Sequence, residues 1–165
     1  MMSSPTPTQT PKQKFTTLAK GSVVPAALRN ALQQSFQFTS LNQANQKIAL
    51  DTAGAIGSAV PQAVWTCMFD AAALLNTPQA QLAFLLNALG AIKANIVIAH
   101  FDQFFPQNGG KASVRDIKTM HNALVSAFLL SMGELLKQSF AGASNDYTYS
   151  AEIGTEQIYY TSSDN

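Results

Sequence analysis

Residues 77–96, TPQAQLAFLLNALGAIKANI, indicate most clearly how this chain folds. Thr77 before Pro78 is typical of a helix start, because the first helical residue has no intrahelical partner for an N–H group. The apolar residues that follow keep helical spacing: Leu82, Leu85, Leu86, Leu89, Ile92 and Ile96. No charged residue occurs from Ala71 to Ile92. A membrane span needs about 20 continuous apolar residues, and Asn76 to Gln79 and Gln81 interrupt this stretch. We therefore predict a buried helix and no membrane partner.

Three other helices are predicted from the same spacing. One begins near Val24, and a second is capped by Ser40 and weakens between Gly54 and Pro61. Ser113 caps the last helix, which ends near Phe140. The residues expected on the three buried faces are Val24, Leu28, Leu32 and Phe36; Leu41, Ala44, Ile48, Thr52 and Ala55; and Ile117, Met120, Leu124, Phe128, Leu135 and Leu136.

The segments outside these helices are polar or β-prone. Residues 63–69, AVWTCMF, predict a short strand, and residues 147–153 could pair with 156–161 as a hairpin around Gly154. We expect one all-α domain, a four-helix bundle with a small β element and extended polar termini. Its parts are an N-terminal arm (1–22), a helical core (23–140) and a C-terminal tail (141–165).

The charge content is low for a folded domain. Asp, Glu, Lys and Arg make up 12% of the chain, about half of the roughly 25% that is usual. A freely soluble monomer normally carries a mixed, charged surface that resists association. This composition favours self-association, with a neutral monomer as the simpler alternative. The N-terminus lacks the apolar segment of a secretory signal, and the single cysteine, Cys67, favours a reducing, intracellular setting.

Catalytic and metal-binding patterns are not found in the sequence. His100 and His121 are far apart, and neither has a cysteine or carboxylate cluster beside it. Cys67 lies in an apolar segment without a basic neighbour, so we expect it to be buried rather than reactive. We predict a protein that is not an enzyme and has no cofactor and no metal.

One segment has the pattern of an anion site. Gly109 and Gly110 precede Lys111, and Ser113 starts a helix that carries Arg115 in its first turn. Glycines allow close backbone approach, and the first N–H groups of a helix favour a phosphate. Lysine and arginine side chains add full charges, the arginine with bidentate geometry. A solvated loop before an ordinary capped helix is an equally good interpretation.

Lys93 is a second basic residue of interest. It would lie near the glycine loop if the helix that starts at Pro78 and the helix that follows Ser113 are antiparallel neighbours. The alternative is a lysine at a helix end that satisfies the last carbonyl groups.

Short motifs across nearly the whole chain resemble those of the coat proteins of rod-shaped helical plant viruses, tobamovirus type. Their separations agree without large gaps, which is the strongest part of the resemblance. The matching motifs are TPKQ at 10–13, NAL at 30–32, FQ at 36–37, PQ at 61–62, LGA at 89–91, ELLK at 134–137, AGAS at 141–144 and YTS at 160–162.

The resemblance implies a bundle whose inner end binds single-stranded genomic RNA and whose sides pack with further copies into a helical rod. It implies a location in the virion, and in the host cytoplasm during assembly. Where the family has pairs of arginines, this chain has only Lys93 and Arg115. Of the carboxylates in the family's inner loop, Asp102 is the one that remains. The residues expected to bind RNA are Lys93, Asn95, Gly109, Gly110, Lys111, Ser113, Arg115 and Asp116.

Two other functions fit the same sequence. A cellular helical-bundle adaptor would form oligomers without nucleic acid. A carrier of a small ligand or lipid would stay monomeric and enclose an apolar cavity.

Overall fold

The computed structural model describes residues 9–105 and 112–141. Within these two ranges the chain is helical and has no strand, which confirms the all-α class. The helices of the described ranges are α1 (Pro11–Leu18), α2 (Val23–Gln33), α3 (Phe36–Thr39), α4 (Gln43–Ala72), α5 (Pro78–Phe104) and α6 (Val114–Ser139). The hairpin predicted in the tail lies outside the described residues.

The long helices enclose one apolar core. Helix α4 packs against α2 and α5, and α6 packs against α5 and α2, so these helices form a closed ring. The largest side chains that are fully buried in it include Trp65, Phe101, Phe128, Leu28, Leu32, Ile48, Ile56, Leu82, Leu85, Leu86 and Leu89. Each buried side chain of this size stabilises the fold by about 1.5–3 kcal/mol relative to an exposed one.

The predicted starts of the last two long helices are confirmed. The hydroxyl of Thr77 accepts a hydrogen bond of 3.1 Å from the Ala80 N–H, and Pro78 is the first residue of α5. The hydroxyl of Ser113 accepts one of 3.0 Å from the Asp116 N–H. Helix α6 ends at Ser139 as expected. Of its predicted buried residues, Met120, Leu124, Phe128, Leu135 and Leu136 are buried and Ile117 is half-buried.

The predicted short strand is wrong, because residues 63–69 belong to α4. The β propensity of this segment is overridden by tertiary packing. Trp65 and Phe69 are four residues apart and both buried, which places them on one side of a helix. Cys67 lies between them and is exposed, so its predicted burial is also wrong.

The expected weakening of α4 near Gly54 is also wrong, because the helix continues to Ala72. Glycine at position 57 serves packing between helices instead. A Cβ atom there would lie 2.6 Å from the Pro25 backbone of α2. The missing side chain lets α2 and α4 approach each other closely.

The start of α4 and the segment before it differ from the prediction in detail. Asn42, not Ser40, is the N-cap, and its side chain accepts a 2.8 Å hydrogen bond from the Asn45 N–H. Phe36 lies in the short helix α3 and is 83% exposed, so it does not share the buried face of α2. Thr52 is buried as predicted, and its hydroxyl is satisfied by the Ile48 carbonyl at 2.8 Å.

Among the described residues, regular structure begins at Pro11 rather than near Val24, so residues 11–18 are not an extended arm. Phe15 of α1 is only 3% exposed. Its ring lies 6.0 Å from that of Trp65 and 5.1 Å from that of Phe69, centroid to centroid. The prediction of a polar arm took no account of Phe15, the aromatic residue that anchors α1 to the core.

Replacing Gly57 by alanine should destabilise the fold, because the new methyl group meets backbone atoms that can yield only by moving a helix. We expect a loss of about 1–3 kcal/mol in the free energy of unfolding, measured by chemical denaturation. Gly90→Ala is the matched control, since a Cβ atom added there would have nothing within 4 Å. That variant should gain about 0.5–1 kcal/mol from helix propensity. Equal effects of the two substitutions would contradict the close packing of α2 on α4.

Candidate nucleic-acid interface

The first turn of α6 brings together three of the residues predicted to bind RNA. Ser113 and Arg115 are exposed, and Asp116 is half-buried with its N–H held by the Ser113 hydroxyl. The positive end of the helix dipole lies here, and Arg115 adds a full charge. An anion could approach this turn from solvent. Gly109, Gly110 and Lys111, which precede it, lie outside the described residues.

Lys93 is placed differently from Arg115. It is 4% exposed, and its ammonium group donates a hydrogen bond to the Gly90 carbonyl one turn earlier in α5. Burial lowers the pKa of this amine from its ordinary value of 10.5. Helix α5 continues to Phe104, so Lys93 does not lie at a helix end. Contact with RNA phosphate, still a prediction, would require the side chain to leave its buried position. Its neighbour Asn95 is exposed.

The outer side of α5 carries exposed apolar residues that were not singled out in the sequence. Phe84 and Ile98 are 38% and 42% exposed, and Ala91, which lies midway between them, is also exposed. Seven-residue spacing places these residues along one side of the helix. The amides Asn87 and Asn95 are exposed beside them. We call these five residues the outer face of α5.

The outer face of α5 has no formal charge. Lys93 and Asp102 are the charged residues of α5, and Lys93 is buried while Asp102 lies beyond Ile98. The seven-residue spacing of Phe84, Ala91 and Ile98 could have indicated this face in the sequence. It could not be distinguished there, because apolar residues occur on every side of the helix. By length and composition α5 could cross a membrane. Its other side packs on α4 and α6.

A cleft of about 490 Å³ lies where α2 approaches the middle of α4 and the end of α5. Its charged side chains are Arg29 and Asp51, and its aromatic wall is Phe104. The other lining residues are Gly21, Ser22, Pro25, Gly54, Ala55 and Ser58. None of them stands out in the sequence as a binding residue, because they come from three separated segments.

The histidines and the cysteine do not form a catalytic group. Nδ1 of His100 lies 2.9 Å from the Ile96 carbonyl oxygen. The ring of His121 packs edge-on against Phe101, with centroids 4.6 Å apart. Burial lowers the pKa of His121, and the charge of Asp102 partly opposes that shift. Within residues 9–105 and 112–141, no three histidine, cysteine, aspartate or glutamate side chains are placed to hold a metal ion.

Comparison of the chain with protein-family models, with curated proteins and with solved structures finds no match.

Lys93→Met tests whether this residue is a buried structural group or an RNA contact. Unfolding restores the ordinary pKa of 10.5, so near that pH the unfolded chain holds a proton that the folded chain has begun to release. The stability of the natural protein should therefore rise as the pH approaches 10.5. The variant should lack this rise and, at pH 7, should be as stable as the natural protein or about 1 kcal/mol more stable.

The measurement is chemical denaturation at pH 7 and at several values up to pH 10.5, together with RNA binding at pH 7. We expect RNA affinity to be unchanged in Lys93→Met. A variant that folds normally but binds RNA more weakly would establish Lys93 as an RNA contact.

Proposed function

We propose that this chain is a self-assembling coat protein that packs through the outer face of α5 and encloses single-stranded RNA. The single observation that carries the proposal is the exposed, charge-free outer face of a 27-residue helix. Exposed apolar surface that follows one helix favours association over hydration.

A second copy of the chain is the partner that fits this face best. The face holds no charge that would require an opposite charge on the partner. Asn87 and Asn95 each have an amide that can both donate and accept hydrogen bonds, so they can pair with polar groups on a different surface of the next copy, as the head-to-tail contact of a rod requires. The low charge content of the whole chain also lets many copies stack without strong repulsion.

Support for RNA as the enclosed polymer comes from α6. Arg115 is exposed in its first turn, where the helix dipole adds to the attraction of phosphate. A single weak site becomes effective when assembly repeats it along one strand, because each further contact is intramolecular. The motif order that resembles tobamovirus coat proteins supports the same function.

The fold that accompanies this function is a four-helix bundle of tobamovirus type, with α2, α4, α5 and α6 as its helices. The closed ring of contacts between these helices supports that assignment. Helices α1 and α3 are additions at its periphery, and both pack on α6. The location that follows is the virion, with the host cytoplasm as the site of assembly.

Negative-stain electron microscopy of the purified protein, with and without added single-stranded RNA, tests the proposal. We expect rods whose length increases with the length of the RNA. The RNA-dependent part of the assembly should weaken as salt is raised, because phosphate contacts release counterions. Dispersed monomers under all conditions of salt and pH would contradict it.

Ala91→Glu should prevent assembly while leaving the monomer folded, because position 91 is exposed and glutamate is a good helix former. A charge at the centre of a buried subunit contact would be left without a partner. Gln62→Glu is the matched control, since it adds the same charge at an exposed position of α4. Sedimentation velocity should show monomers for Ala91→Glu and assemblies for Gln62→Glu. Normal assembly of Ala91→Glu would exclude the outer face of α5 as the contact.

The alternative function is an oligomerising adaptor that binds no nucleic acid. The burial of Lys93 favours it, because one of the cations expected at the RNA is withdrawn from the surface. Particles that form equally well without RNA, and whose size does not follow RNA length, would support the adaptor.

A further inference from the structure

We infer that the cleft between α2, α4 and the end of α5 binds one nucleotide of single-stranded RNA, with the phosphate on Arg29 and the base against Phe104. This inference rests on the proposed function and names a site for it that lies outside the first turn of α6. The cleft volume of about 490 Å³ is within the range of small-molecule sites.

The guanidinium of Arg29 is held in a defined position. Its Nε donates a hydrogen bond of 3.3 Å to the Leu50 carbonyl of α4. The group lies directly over Gly54, where an added Cβ would be 2.8 Å from Cζ and would overlap Nη2. Because glycine stands at this position, the flat guanidinium rests on the helix surface. One edge is thereby fixed, and the two Nη groups remain available to phosphate in the bidentate geometry that arginine favours.

The other walls match the remaining parts of a nucleotide. Phe104 lines the cleft with an aromatic ring, and stacking of bases on aromatic side chains is the usual way in which single-stranded RNA is held. Ser22 and Ser58 add hydroxyl groups. The Ser58 hydroxyl donates its proton to the Gly54 carbonyl at 3.0 Å, so its oxygen is left to accept from the ligand.

Asp51 is the one anionic side chain of the cleft. Its Oδ2 lies 2.8 Å from the ammonium group of Lys47, so a counter-charge is already present beside it. The carboxylate can accept a hydrogen bond from a ribose 2′-hydroxyl, a group that DNA lacks. A cleft that combines a guanidinium, an aromatic ring and this acceptor therefore fits a ribonucleotide better than a free inorganic phosphate.

The test is fluorescence anisotropy with a labelled ten-nucleotide oligouridylate, and a parallel titration with unlabelled uridine 5′-monophosphate. Arg29→Lys keeps the charge and removes the planar donor pair, so we expect an affinity for the oligouridylate about tenfold lower. Gly54→Ala keeps Arg29 but displaces its guanidinium, and it should also weaken binding. Alanine has a higher helix propensity than glycine, so the Gly54→Ala variant should keep the fold. Lys137→Gln, which removes one charge in the last turn of α6, is the control and should leave the affinity within about twofold.

The outcomes separate this site from the proposed function. If the natural protein binds the oligouridylate and Arg29→Lys and Gly54→Ala bind it equally well, the cleft is not the site, although the coat-protein proposal stands. If uridine monophosphate binds in a way that depends on Arg29 but the oligouridylate does not bind, the cleft takes a nucleotide and the coat-protein proposal fails. If the protein binds neither probe, the nucleotide site and the coat-protein proposal are both contradicted.

Discussion

Helix α5 has apolar side chains on all of its sides, whereas the other helices that the structure describes leave one side exposed. Leu82, Leu85, Leu86 and Leu89 pack against α4 and α6. Phe84 and Ile98 remain exposed to solvent. Water is a poor solvent for that remaining surface, so association with a partner that covers it is favourable. The arrangement of the other helices, the low charge content and the proposed self-assembly are all consistent with this constraint.

Lys93 lies on the opposite side of α5 from the outer face, among the buried residues of the helix. A charged amine on this side of the helix would be costly to bury if it had no hydrogen-bond partner. The amine instead bonds to the Gly90 carbonyl, and its pKa is lowered because burial disfavours the charged form. The residue that the sequence suggested as a phosphate ligand is thus held on the core side of α5, away from the outer face. Cationic character at the surface is left to residues such as Arg29 and Arg115.

Several features of the fold that depend on residues close together in the sequence were predicted correctly from local patterns. The N-caps Thr77 and Ser113, and the buried face of α6, follow from side chains three or four positions apart. The length of α4 could not be predicted in this way, because Gly57 is tolerated within the helix through its contact with Pro25 of another helix. Trp65 and Phe15 likewise have partners far away in the chain. The same division applies to the candidate sites. Ser113, Arg115 and Asp116 are close in sequence, whereas the cleft joins Arg29 to Phe104 and was not foreseen.

The proposed assembly requires that the outer face of α5 be a contact between copies of the chain, and that this contact depend on apolar surface rather than on charge. Sedimentation velocity of the RNA-free protein, measured over a range of protein concentration at low and high salt, distinguishes the two kinds of contact. We predict assemblies that grow with protein concentration and that persist or strengthen as salt is raised, because salts that are excluded from protein surfaces strengthen apolar burial. Monomers at every concentration, or assemblies that dissociate when salt is added, would contradict the proposed contact.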